Sequence, residues 1–153
     1  MSVDSVRAFL AEKAPDISVI ELGSSTATVA LAAEGHGVSV AEIAKTLSLR
    51  VGSRNFLVVT RGDSRLDNKK AKAAFGGKAS MLDAEAVLAV TGHPVGGVCP
   101  FGLATPLPVY CDVSLKEFAE VVPAAGSTNS ALRINPLRMA ELAGAEWVDV
   151  CQA

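Results

Sequence analysis

Apolar and polar residues alternate over short distances along this chain, and the period switches repeatedly between helix and strand. Val3, Val6, Phe9 and Leu10 share one face of a first helix, with Ser2 placed to cap it and Pro15 to end it. Residues 17–22 and 26–33 read as two strands, and the turn at Gly23 to Ser25 predicts a hairpin between them. Residues 34–37, EGHG, turn the chain. Ser39 followed by Glu42 has the spacing of a capping box on a short helix. KTLSLRV (45–51) and NFLVVT (55–60) then read as strands joined at Gly52-Ser53.

Beyond them, Asp67 to Phe75 predicts a basic helix closing at Gly76-Gly77, and Asp83 caps a helix ending at Thr91-Gly92. Residues 92–106, GHPVGGVCPFGLATP, hold four Gly and three Pro and form the longest stretch unsuited to regular structure. LPVYCDV (107–113) reads as a strand, Ser114 as the cap of one helical turn, and Val121-Val122 and residues 131–135 as short strands. Asn135 as N-cap, Pro136 at N1 and Gly144 after the last turn frame a final helix, and residues 146–151 a last strand. The pattern predicts an α/β fold whose sheet is largely antiparallel, because several consecutive strands are joined by tight turns. At 153 residues without a linker or repeat, one domain over 1–153 is expected.

Half of the residues are hydrophobic, enough for a sizeable core, and the net charge is −2. A general nucleic-acid binder would be basic, so no DNA partner is expected, and any RNA contact should be confined to one end of the molecule. No apolar run has the length of a membrane span, and the N-terminal residues form neither a signal nor a transit peptide. A cytoplasmic location follows as the expectation. Cys99, Cys111 and Cys151 are odd in number and form no CxxC, which predicts free thiols.

Candidate chemistry is sparse. The 92–106 loop is long for a compact domain, and Gly96-Gly97 would let main chain approach a ligand, with Pro94 and Pro100 stiffening it. A rigid connector is the competing reading. The loop fits neither GxGxxG nor a P-loop. Lys45 stands where a capped helix gives way to an apolar strand, and it either reaches solvent or serves a pocket. His93 and Cys99 lie six residues apart in one loop, unlike the distant segments that assemble a Cys/His nucleophile. Two His and three scattered Cys show no metal-ligand spacing. Arg61-Gly62-Asp63 reads as an ordinary turn. Asp67-Asn68-Lys69-Lys70 with Lys72 and Lys78 is the one basic cluster, either a solvated helix face or an RNA contact.

Taken together, AKTLSLR (44–50), FLVVTRGDSRLD (56–67), TGHPVGGVCPFGL (91–103) and PVYCD (108–112) resemble the YbaK/ProX family, the editing domains associated with prolyl-tRNA synthetase. The likeness runs over roughly residues 20–150, and its most specific pieces are the AKTL lysine and the G-x-x-x-P loop from Gly96 to Pro100. It implies a mixed, bent, barrel-like sheet flanked by helices. It also implies an aminoacyl-tRNA deacylase, a carboxylic ester hydrolase acting in trans on a mischarged small amino acid, most often on tRNA(Pro), without metal or cofactor.

Carried over by position, Lys45, Gly96 and Gly97 become the candidate catalytic residues. Thr46, His93, Val98, Cys99, Pro100, Asn129 and Ser130 become candidate substrate-binding residues, with Thr46 at a position that varies with amino-acid preference. Main-chain N–H groups of the glycine loop would stabilise the oxyanion, Lys45 would hold the terminal phosphate or the polar end of the substrate, and pocket size would select the amino acid. The expected partner is the acceptor end of a mischarged tRNA, and the acidic charge leaves room for help from prolyl-tRNA synthetase or an elongation factor. The competing class is a non-catalytic module that holds a tRNA end or a synthetase.

Overall fold

Local start and stop signals explain most of the helices. In the computed structural model, which describes residues 2–152, α1 spans Ser2–Lys13, α2 Val29–His36, α3 Asn68–Phe75, α4 Ala84–Thr91 and α5 Pro136–Ala143. The side chains of Thr28, Asp67, Asp83 and Asn135 accept the free N–H groups at the starts of α2 to α5, and Gly37, Gly76, Gly92 and Gly144 close the same helices. The Ser39/Glu42 capping box forms on a single 3-10 turn: the Glu42 carboxylate accepts from the Ser39 N–H and hydroxyl, both at 2.9 Å.

The strands are β1 (Ile20–Glu21), β2 (Ile43–Val51), β3 (Arg54–Arg61), β4 (Ser80–Met81), β5 (Val109–Asp112), β6 (Val122–Pro123), β7 (Ser130–Ala131) and β8 (Glu146–Val148). The order β4-β2-β3-β5-β8 makes the main sheet, with β6 also on β2. β2–β3 and β2–β4 are antiparallel, while β2–β6, β3–β5 and β5–β8 are parallel. The sheet is therefore mixed. Among the described residues its path ends at β4 and β8 and does not close into a barrel. The parallel pairs arise where long excursions, not tight turns, join the strands.

Three expectations are corrected. Residues 26–33 do not form a strand: Thr28 caps an alanine-rich run that Gly37 terminates, and alanine favours helix over strand. The hairpin is consequently absent, and β1 pairs with β7, far away in sequence. The 3-10 turn Val113–Glu117 is capped by Asp112, which accepts from the Ser114 N–H, instead of by Ser114.

Side chains alternate across the sheet, and each face has its own core. Ala44, Leu57, Val59, Val109 and Cys111 pack with Val6 and Leu10 of α1, Met139 of α5, and Cys99 and Phe101 of the 92–106 loop. Leu49, Val51, Phe56 and Val58 pack on the opposite face against Ala71 and Phe75 of α3. No helix among the described residues is long and apolar enough to cross a membrane.

Candidate functional site

An incomplete strand pairing builds the site. One edge of β2 meets β6 at Ile43 and Ala44 and β4 at Leu49 and Arg50, which leaves Lys45 to Ser48 between two partners. The Ser48 carbonyl accepts from the Leu82 N–H at 3.0 Å, so even-numbered residues of β2 turn their main-chain groups away from β3. Thr46 N–H and C=O therefore point out of the sheet into this gap.

A cavity of about 250 Å³ occupies it. Its walls include Ile43, Ala44 and Thr46 of β2, Val29 and Ala32 of α2, Met81, Val87 and Val122, and the loop residues Val95, Gly96 and Val98. Thr26, Thr28, Ser48 and Ser130 supply hydroxyls, and Lys45 is the one lysine or arginine on the wall among the described residues. Ala27 to Val29 also place the N-terminus of α2, the positive end of its dipole, on the wall.

Lys45 pairs across the strands with Thr60, so its side chain leaves the sheet on the α3 face, opposite to Thr46. Nζ donates to the carbonyls of Gly62 (3.4 Å) and Ser64 (2.5 Å) in the turn after β3. Burial lowers its proton affinity, Cys151 and Asp63 nearby raise it, and Arg65 lowers it. It is thus a fixed cation at the cavity edge, held by neutral oxygens and not by a carboxylate. The hydroxyl of Thr46 is buried without a hydrogen-bond partner among the described residues.

Gly96 has a specific reason to be glycine. Gly97 N–H donates to the Pro94 carbonyl at 2.9 Å, and Gly96 sits at the third turn position with φ of +89°. This is the type II arrangement, which requires a positive φ there. A Cβ on Gly96 would also stand 2.9 Å from the Ala27 methyl. The turn presses against the start of α2 and leaves the N–H groups of Gly96 and Val98 without a partner among the described residues.

Of the residues singled out from the sequence, Lys45, Thr46, Gly96, Val98 and Ser130 meet at the cavity. Gly97, His93, Cys99, Pro100 and Asn129 do not line it. Gly97 spends its N–H on the turn and packs against the main chain of Ser127. His93 and Cys99 are completely buried and both contact the Phe101 carbonyl, at 2.7 and 3.6 Å. Asn129 bonds the Leu22 carbonyl and so ties the β1 segment to β7. The segment from Cys99 to Phe101 is thus core, because Phe101 stacks on Phe9 of α1 and draws its neighbours inward, while Val95 and residues 104–106 stay exposed. Reading residues 26–33 as a strand missed the α2 wall, although the capping threonine before VALAA was its signal. Met81 carried no signal in the sequence pattern.

Burial pushes the Cys99 thiol up to about 12 and lowers the proton affinity of His93, so a thiolate–imidazolium pair is disfavoured on both sides. Cys111 and Cys151 are likewise raised to about 12, chiefly by burial. All three thiols should be inert to Ellman's reagent in the native protein and react fully in denaturant. Rapid native labelling of Cys99 would show that the loop opens.

Comparison with known proteins places this geometry. The model of the aminoacyl-tRNA editing domain matches residues 24–142. The chain belongs to that family. It is 48% identical over 154 residues to the uncharacterized protein YwhH of Bacillus subtilis, covering 99% of this chain and 98% of that one. It is 32% identical over 98 residues to a proline--tRNA ligase of Citrifermentans bemidjiense, covering 63% of this chain and 17% of the ligase. A crystal structure assigned provisionally as a trans-editing enzyme for prolyl tRNA synthetase superposes with a TM-score of 0.92 at 33% identity, over 99% of this chain and 98% of that one. These likenesses support an aminoacyl-tRNA editing role and a relation to prolyl-tRNA synthetase.

Proposed function

We propose that this chain is a trans-acting aminoacyl-tRNA deacylase that cleaves the ester of a small amino acid mischarged to tRNA(Pro). The observation that carries the reading is the gap in β2 pairing. It places the main-chain groups of Thr46, the fixed cation of Lys45 and the Gly96 turn around one apolar cavity. An aminoacyl ester offers a cationic amine, a carbonyl and a small side chain. The Thr46 C=O accepts from the amine, the N–H groups of Gly96 and Val98 face the ester carbonyl, and the apolar wall takes the side chain. Lys45 holds the phosphate of the terminal nucleotide.

In the reaction, water adds to the ester carbon, and the ribosyl oxygen leaves with the proton that the water gave up. The free amino acid and intact tRNA result. The ester is already activated, so positioned water and oriented main-chain dipoles suffice, and no side-chain nucleophile is invoked. Selectivity is by size: the cavity accepts small side chains and excludes larger ones. Delivery by prolyl-tRNA synthetase or an elongation factor fits the acidic net charge.

The test is a deacylation screen over tRNA(Pro) carrying alanine, serine, cysteine or proline. At least one small amino acid should be released tenfold or more faster than proline, with activity retained in chelator and in Cys99→Ser. Binding of charged tRNA ends without release of any amino acid would leave a non-catalytic module in place of the enzyme.

A further inference from the structure

The chain carries fourteen Lys and Arg residues. Ten of them have side chains held in an ion pair, in a hydrogen bond or over an aromatic ring. The four whose side chains make no such contact among the described residues are Arg65, Lys69, Lys72 and Lys78. All four are exposed, and all lie on α3 or the segments flanking it. Residues 65–78 carry five basic side chains and one acidic one, a charge of +4, against −6 for the rest of the chain. The acid, Asp67, is engaged as the cap of α3. The positive charge of an acidic protein is thus concentrated and unneutralised in one place.

That place adjoins the cavity at two points. Arg65 is close enough to Lys45 to act on its charge. Lys78 stands three residues before Met81, which lines the cavity and is 63% exposed. From these observations we infer that α3 and its flanking turns form a track for the phosphate backbone of the RNA duplex leading into the cavity, that is, the acceptor stem behind the aminoacylated end. The inference rests on the editing function proposed above.

A protein partner would leave a different surface. Protein interfaces centre on buried aromatic or aliphatic anchors, yet none of the large exposed hydrophobic side chains lies on α3. Lysines on a face without large exposed apolar side chains suit a polyelectrolyte, whose regular charges need only point cations and whose binding gains from counterion release. Contacts of this kind read no sequence, so the track contributes affinity and direction while the cavity chooses the amino acid.

The experiment uses the whole protein and a fluorescein-labelled, uncharged RNA hairpin copying an acceptor stem with its CCA end. Affinity is measured by anisotropy over a series of salt concentrations. Combined Lys69→Gln, Lys72→Gln and Lys78→Gln should weaken binding tenfold or more and lower the slope of log affinity against log salt by about two to three, near one for each phosphate no longer neutralised. A matched removal of charge elsewhere, Arg7→Gln with Lys13→Gln and Lys116→Gln, should change affinity by less than twofold. In turnover, the α3 variant should lose kcat/KM on mischarged tRNA and keep it on an aminoacylated CCA trinucleotide.

Unchanged affinity and salt slope in the α3 variant, or an equal weakening in both triple variants, would overturn the track and leave α3 to a protein partner or to solvent. Failure of wild type to bind the hairpin would overturn it as well. Hairpin binding that depends on the lysines, without hydrolysis of any charged substrate, would instead sustain the track and remove the deacylase reading.

Discussion

Lys45→Ala is expected to lower kcat/KM for deacylation roughly a hundredfold, a loss of about 2.7 kcal/mol of transition-state stabilisation. The lysine is the cation of the cavity wall, and its Nζ is fixed by the Gly62 and Ser64 carbonyls, so a solvent ion cannot replace it in register. The substitution also frees those carbonyls, and a modest cost of about 1 kcal/mol in stability accompanies it. Lys45→Met controls for lost packing. It keeps a stem of similar length against the sheet while removing the charge and, like alanine, the donors to Gly62 and Ser64. Both variants should melt within a few degrees of wild type and share the kinetic defect. Turnover by Lys45→Met at the wild-type rate would take the charge out of the mechanism.

Gly97→Val is expected to act on stability first. A Cβ at this position would lie 2.7 Å from the Ser127 carbonyl carbon and 2.8 Å from the Ser127 nitrogen and oxygen. Those are main-chain atoms, and the Gly126 N–H bonded to the Gly97 carbonyl at 2.9 Å holds the same segment in place. Overpacking against backbone that cannot yield costs about 3 kcal/mol. In a domain of this size that lowers Tm by roughly 6 to 12 °C. A glycine in an open surface loop would change activity with little effect on folding; the close approach of the Ser127 main chain makes Gly97 differ. Thermal melts followed by circular dichroism decide it. A Gly97→Val protein that melts with wild type would mean that the loop can move away from Ser127.

The contrast between Gly96 and Gly97 marks the limit of what local sequence can say. Both are glycines in a loop of irregular composition, and both match the same family motif. Only Gly96 lines the cavity and has a positive φ, whereas Gly97 is a point of close approach between two loops. Nothing local distinguishes them, because the difference lies in what stands opposite: Ala27 for one and Ser127 for the other. His93 and Cys99 carry the same lesson. As residue types they invite a thiol reading that their spacing already opposes, and a buried phenylalanine two residues beyond the cysteine turns that part of the loop into core.

What the sequence determined by itself is local. Caps at Asp83 and Asn135, the Ser39/Glu42 box, and the period-2 runs of β2 and β3 were legible because each depends on contacts within a few residues. The motifs around Lys45 and Gly96 were legible as family resemblance. Tertiary structure decided the rest. It laid the helix at 29–36 along the cavity, paired β1 with β7 across the chain, and set β4 and β6 at opposite ends of one edge of β2. The cavity exists because those two short strands stop before they meet. Strand pairing between segments tens of residues apart is settled by which side chains can be buried together, and no window of the sequence contains that choice.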